Sequence, residues 1–379
     1  MNILSIYMKN EGGGFVKRLI RLYEACAKRS HTVAYFCRGA LPIQRAQVEY
    51  HPMPELGGNR IAIGLYLLFV APVRLCLAAR KGSTDLLVVF GFFYGFLMIP
   101  ARLLTGRPLV VFVRGDWIAE LQRNGQSVLV VLLARLMRQC AMRAADSIVV
   151  NSPSLGRTIG ITMTDKLQQK IQLIPNHVDA ITPERRATIR QACPISLKSS
   201  LQQFVIGFVG GLNPNKDVAL LLRAFAHLSE RTVLVIVGSG PDEAGLKRLA
   251  KVLEIDQRVI FAGQQTDALP FIANFDLLVL PSRGEGSPNV ILEAMACGVP
   301  AIGSDVPGVR DVLDNPVLRF PANDEEALSD KLALLSRSPS ELDIVAQTCC
   351  ICREPLLFDW DEKVVTHLAR MCGAAKPGA

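Results

Sequence analysis

The residues with the clearest chemical potential lie in the stretch 275–305, FDLLVLPSRGEGSPNVILEAMACGVPAIGSD. Glu285 falls in a turn and Glu293 in the helix that follows, with seven residues between them. Ser287 is of the type that caps helix N-termini, and Pro288 suits the first helical position, where its missing N–H costs nothing. On that reading the amides of Asn289 and Val290 point free from a positive helix end that attracts anions. Gly284 and Gly286 let a ligand approach the backbone closely. The two carboxylates can then face one crevice at different depths. Together these features read as a nucleotide-sugar site.

The elements that must hold this site follow a regular pattern. Apolar runs of strand length alternate with helical patterns almost throughout, which predicts an α/β protein with parallel sheets. Strands are expected over 2–7, 32–36, 48–51, 86–90, 109–113, 147–150 and 170–174, and helices over 16–28, 61–80, 92–104 and 127–143. A glycine turn, Glu11-Gly12-Gly13-Gly14, follows the first strand. Open α/β sheets bind ligands at such strand ends, although G-x-G-x-x-G is absent. The polar, weakly periodic stretch 183–203 reads as a linker. A second α/β series starts at 205–209 and continues through 218–228, 233–237, 258–261 and 277–280. The expected division is residues 1–185, a linker over 186–203, and residues 204–358, with 359–379 returning to the first domain.

The run PSRGEGSPNVILEAMACGVPAIGSDVPG resembles the donor-site signature of the retaining glycosyltransferases of family 4, which have the GT-B fold. ADSIVVNS and IPNHVD resemble two further elements of that family, and the likeness is continuous over 205–313. Phe358-Asp359-Trp360 resembles the segment by which the last helix crosses back onto the first domain. The resemblance implies two Rossmann-like parallel-sheet domains facing a cleft, and roles for individual residues. Glu285 would orient the donor sugar and Glu293 would hold both ribose hydroxyls. Ser287, Pro288, Asn289 and Val290 would lie against the diphosphate and sugar. Lys216, with the backbone of Gly210 and Gly211, would face the β-phosphate, where charge builds and fixed donors and cations do most of the work. Gly13 and Gly14 would lie under the donor phosphates or near the acceptor.

Two positions depart from the family pattern. Gly211 stands where an arginine usually clamps the diphosphate, and Arg114 stands where a histidine often approaches the anomeric centre. Arg114 either supplies charge from the opposite domain, contacts the acceptor, or pairs with Asp116; it is no proton-shuttling base at neutral pH. If it supplies the missing charge, catalysis depends on domain closure. His177 replaces a glycine of the IPNHVD loop, where exposure and no catalytic role are expected.

Charge is divided unevenly over the 379 residues. Residues 1–190 hold 25 Lys and Arg against 11 Asp and Glu, and the remainder 17 against 23, giving +14 and −6 within a net +8. A basic half predicts a negative partner, either an anionic membrane surface or a phosphate-linked acceptor. Nucleic acid is ranked last, because neither aromatic interleaving nor a helix-turn-helix pattern accompanies the charge. The charge-free apolar runs 61–73 and 86–101 span 13 and 16 residues, short of the roughly 20 that a spanning helix needs. No transmembrane segment or secretory signal is expected. The ten cysteines read as reduced thiols, and Cys349-Cys350-x-Cys352 lacks a second pair at zinc spacing. With a lysine and helix amides where a divalent cation would otherwise stand, no metal or cofactor is expected beyond the nucleoside-diphosphate sugar donor. The expectation is a cytoplasmic, retaining, metal-independent hexosyltransferase at the inner face of the membrane. It would serve a cell-envelope polysaccharide, such as lipopolysaccharide, or a lipid-linked acceptor. A catalytically inactive nucleotide-sugar-binding partner subunit is the alternative, motivated by Gly211 and Arg114.

Overall fold

The computed structural model describes residues 1–9, 14–55, 60–81, 83–123, 125–160, 164–195 and 203–374. Gly13 therefore lies outside the described residues, as does the later part of the expected linker, 196–202. The chain divides into two compact units, Met1–Pro175 with Asp359–Ala379, and Asn176–Phe358. The division falls ten residues before the expected end of the first domain. Residues 183–191 are not linker but a helix, Pro183–Gln191, capped by the Thr182 hydroxyl and packed on Leu269–Ile272 of the second unit. Its charged, weakly periodic sequence hid a helix none of whose residues is fully buried.

The first unit is built on seven strands: β1 (Asn2–Lys9), β2 (Thr32–Arg38), β3 (Val48–Pro52), β4 (Leu86–Phe90), β5 (Leu109–Val113), β6 (Ser147–Val150) and β7 (Ile171–Leu173). The second has six: β8 (Phe204–Val209), β9 (Thr232–Val237), β10 (Val259–Gly263), β11 (Leu277–Leu280), β12 (Ala301–Ser304) and β13 (Arg319–Phe320). Both sheets are parallel throughout, in the orders β3-β2-β1-β4-β5-β6-β7 and β10-β9-β8-β11-β12-β13. Every residue of β4, β5, β6, β9, β11 and β12 is buried. Helices cover both faces of such a sheet, so its inner strands read as continuous apolar runs. The edge strands β3 and β7 are only partly buried.

One device recurs at the amino ends of the strands. Asp85, Asp146 and Asp276 each precede a strand and accept a backbone N–H from the start of the neighbouring one: Asn2 at 2.9 Å, Leu109 at 2.8 Å and Val205 at 2.7 Å. Asp146 also takes a two-pronged ion pair from Arg102. These contacts set strand register at the end opposite to the functional loops.

The expected single helix over 61–80 is a composite. The α-helix Arg60–Leu65 passes through a π-helical turn, Tyr66–Val70, into Ala71–Lys81. Pro72 explains the turn, since its ring crowds the carbonyl four residues back and its N–H is missing. The Ala71 amide reaches Tyr66 instead, five residues back. Contrary to the expectation from charge-free run length, Ala62–Lys81 is long and apolar enough to cross a membrane by length and composition, and most of it is not buried.

The last helix, Trp360–Ala374, belongs to the first unit. Trp360 is buried beneath the guanidinium of Arg18, Arg21 pairs with Asp361 at 2.6 Å, and His367 bonds Ser147 at 3.0 Å. The Asp-x-Asp sequence at Asp359 and Asp361 is thus structural: Asp361 holds Arg21, and Asp359 caps the helix by accepting from Glu362. In the second unit, Gly207 makes room on β8 for the Phe275 ring, because a Cβ there would stand 1.9 Å from it. Gly207→Ala is expected to cost about 1–3 kcal/mol of stability through overpacking. The check is the urea midpoint of the full chain; an unchanged midpoint would mean the ring moves aside freely.

Candidate active site

Strand order reverses between β8 and β11, which pair through Ile206–Leu277 and Gly207–Leu278. Their C-terminal ends open into the loops that carry Gly210–Lys216 and Ser282–Glu285. Loops diverge at such a reversal and leave a crevice where ligands bind. Three direct contacts lock these two loops together. Asn215 donates through its side-chain amide to the Gly284 carbonyl at 2.8 Å, its own carbonyl accepts the Arg283 amide at 2.8 Å, and Lys216 Nζ meets Glu285 Oε1 at 2.5 Å.

Glu285 is held from below as well. The hydroxyl of Ser282 donates to the same Oε1 at 2.7 Å, and the Ser304 hydroxyl at the end of β12 donates to the Ser282 carbonyl. The Glu285 side chain is 11% exposed, and its Oε2 has no partner among the described residues. One oxygen is thus fixed by a cation and a hydroxyl, and the other is left for a ligand hydroxyl. Gly308 packs under this turn: a Cβ there would stand 2.2 Å from the Glu285 carbonyl oxygen.

The helix after the turn is Asn289–Cys297, with Pro288 at the capping position and no side-chain cap. This corrects the assignment of Ser287 as the N-cap. Asn176 donates instead to the Ser287 hydroxyl at 3.2 Å and to the Asn289 side chain at 2.8 Å, which ties down the helix entry. The backbone amides of Asn289 and Val290 have no acceptor among the described residues, so two donors remain at a positive helix end. Glu293 is half-buried between Leu292 and Ala294, which face the core. Gly210 and Gly211 leave β8 beside Lys216, whose Cε would lie 3.7 Å from a Cβ added at Gly210.

A second cation stands next to Lys216. Arg283 pairs with the buried carboxylate of Asp217 at 2.7 Å, and that bond raises its guanidinium pKa above the ordinary value. Its side chain is 52% exposed, so the free end of the fork reaches solvent on the loop that carries Glu285. Ser282, Asn215, Asn176 and Arg283 were not assigned roles from sequence, although PSRGE and IPNHVD contain three of them. A residue type within a motif does not tell which atom 69 or 111 residues away it bonds.

His177 is buried at 3% exposure, contrary to its expected place on the surface. Its Nε2 bonds Asp179 at 2.9 Å and its ring packs near Phe358. In the first unit, Gly14 opens the Gly14–Lys28 helix, and Arg114 follows β5 at the carboxyl edge of the sheet. Asp116 spends one oxygen on the amides of Ile118 and Ala119, at the start of the Trp117–Arg123 helix. Burial, and then the charge of Arg18, push the Arg114 guanidinium below its ordinary pKa. Cys349 and Cys352 are buried, and burial raises their thiols to about 12 and about 11, as befits packing residues.

Known proteins bear on both units. Residues 13–176 match the family model described as a glycosyl transferase 4-like domain, and residues 203–338 that described as glycosyl transferases group 1. The N-acetyl-alpha-D-glucosaminyl L-malate synthase of Bacillus anthracis is 31% identical over 327 residues, covering 82% of this chain and 80% of that protein. Among solved structures, Anabaena Alr3699/HepE in complex with UDP and glucose aligns with a TM-score of 0.78 at 18% identity, over 98% of this chain and all of that one. WaaG, a glycosyltransferase involved in lipopolysaccharide biosynthesis, aligns at 0.73 and 19%, over 97% and 99%. Both structures share the fold. Gly308→Ala should shift the Glu285 turn and lower turnover of a nucleotide sugar by about 10²-fold, the penalty for a misplacement of about 1 Å. A steady-state assay beside a circular-dichroism spectrum checks this; near-normal turnover would show that the turn does not lean on Gly308.

Proposed function

The chain belongs to the glycosyl transferases of group 1, and from that premise we propose that it moves a hexose-type sugar, with retention and without a metal ion, from a nucleoside-diphosphate sugar to a cell-envelope polysaccharide or lipid-linked acceptor. The observation that carries the reading is the meeting of Lys216 and Glu285 at the reversal of strand order, on a loop that runs into a helix start whose first two amides have no acceptor among the described residues. Breaking the donor bond leaves negative charge on the diphosphate and positive character on the sugar. On this reading the Lys216 ammonium and the Asn289 and Val290 amides take the first, and Glu285 Oε2 accepts a sugar hydroxyl and favours the second. Glu293 accepts from the two ribose hydroxyls.

Gly211 removes one cation from this set. Arg283 sits on the Glu285 loop with an open guanidinium end and partly offsets that loss, while Arg114 is the candidate for contact with the acceptor or the diphosphate. The acceptor reading rests on the basic and apolar character of residues 1–190. Work at the cytoplasmic face of a membrane follows from the same character. The alternative of an inactive binding subunit draws support only from Gly211 and Arg114, and a built Lys216–Glu285–Ser282 cluster speaks against it.

A thermal-shift screen with uridine, guanosine and adenosine diphosphate sugars should find one donor that stabilises the protein, and Glu293→Ala should abolish that shift. An undiminished shift would remove Glu293 from the ribose. With that donor, Lys216→Ala should slow transfer by roughly 10²-fold or more. Excess chelator should leave the rate unchanged, and the product's anomeric configuration by nuclear magnetic resonance should match the donor's. Inversion, or a rate lost to chelator, would refute the corresponding part of the mechanism.

A further inference from the structure

The first unit leaves apolar surface exposed in one place far more than elsewhere. The composite helix Arg60–Leu65, Tyr66–Val70, Ala71–Lys81 packs beside Phe92–Thr105, which packs beside Val128–Ala144, in one layer over the sheet. Inward, Leu75, Met98 and Ala141 join the core. Outward, these helices hold 14 of the 22 large apolar residues that are exposed among the described residues. Phe69 is 68% exposed, Leu103 75%, Leu129 66% and Leu136 62%. Val128–Ala144 is therefore apolar on both faces, a pattern water alone does not favour.

Charge selects what covers this face. The same three segments contain eight Arg and Lys and no Asp or Glu. Arg80, Lys81, Arg135 and Arg143 are exposed. A second copy docking face to face would bring like charges together, because a two-fold interface pairs each patch with itself. An anionic lipid leaflet instead attracts the cations and accepts the apolar side chains. The composite helix does not cross the bilayer on this account: Leu67, Ala71, Leu75 and Ala79 anchor one side of it in the core. It lies along the interface.

We propose that the outer face of these three helices is a docking surface for an anionic membrane, with Phe69, Leu129, Leu133 and Leu136 entering the acyl boundary and Arg80, Lys81, Arg135 and Arg143 meeting lipid phosphates. The proposal rests on the lipid-linked acceptor only for its purpose. Vesicle binding is read without donor or acceptor, so it and sugar transfer can fail separately.

The full chain is sedimented with vesicles of phosphatidylglycerol in phosphatidylcholine, and with phosphatidylcholine alone. Binding to the anionic vesicles should be roughly tenfold tighter or more and should weaken as salt rises. Leu129→Gln with Leu133→Gln should reduce it by a similar factor, as should Arg135→Gln with Arg143→Gln, while the nucleotide-induced thermal shift stays intact. Should the leucine pair misfold, the arginine pair decides. Equal binding to both vesicles, or none, overturns the proposal. So does a dimer in solution that the leucine variant disperses without any vesicle binding.

Discussion

The constraint on which the site depends is the reversal of strand order between β8 and β11. Parallel strands on either side of that point send their following loops and helices to opposite faces of the sheet, which leaves the two loop starts beside each other. Lys216 and Glu285, 69 residues apart in sequence, meet for this reason. Asn215, Ser282 and Ser304 then fix the meeting to single atoms, so the carboxylate does not search for its position each time a ligand arrives. Preorganised charge of this kind needs little rearrangement when negative charge develops on a bound group.

The electrostatics of the second unit are arranged in pairs with one member left open. Glu285 has one oxygen engaged and one without a partner among the described residues, and Arg283 is held by its Nε on Asp217 with the fork end exposed. The helix start offers two amides with no acceptor among the described residues. Each group is anchored at one end and leaves another open. This arrangement reconciles the absence of an arginine at position 211 with a site that still carries two cations on adjoining loops.

The first unit solves a different problem. Its sheet is closed at the amino ends by Asp85 and Asp146, and the Trp360–Ala374 helix is fastened to the Gly14–Lys28 helix through Trp360, Arg18, Arg21 and Asp361. With these contacts holding the unit, the three helices on one face need not bury their outer sides. Their leucines, valines and arginines are then available for a surface outside the protein.

Much of this was legible in the sequence, for a physical reason. Strands buried on both faces must be apolar without interruption, so β4, β5, β6 and β11 fall where the runs place them. A turn that holds a carboxylate between glycines, followed by a helix start, likewise falls where the residue types place it. What required the tertiary structure were contacts whose partners lie far apart in the chain. Ser287 is typed as a cap yet accepts from Asn176; His177 is typed as a surface loop residue yet is buried beside Phe358; 183–191 is typed as a linker yet folds as a helix on the second unit. The side of Ala62–Lys81 that faces the core, and the side that does not, was likewise decided only by the packing of its neighbours. Local sequence fixes what a residue can do, and the fold determines which of its possible partners comes within bonding distance.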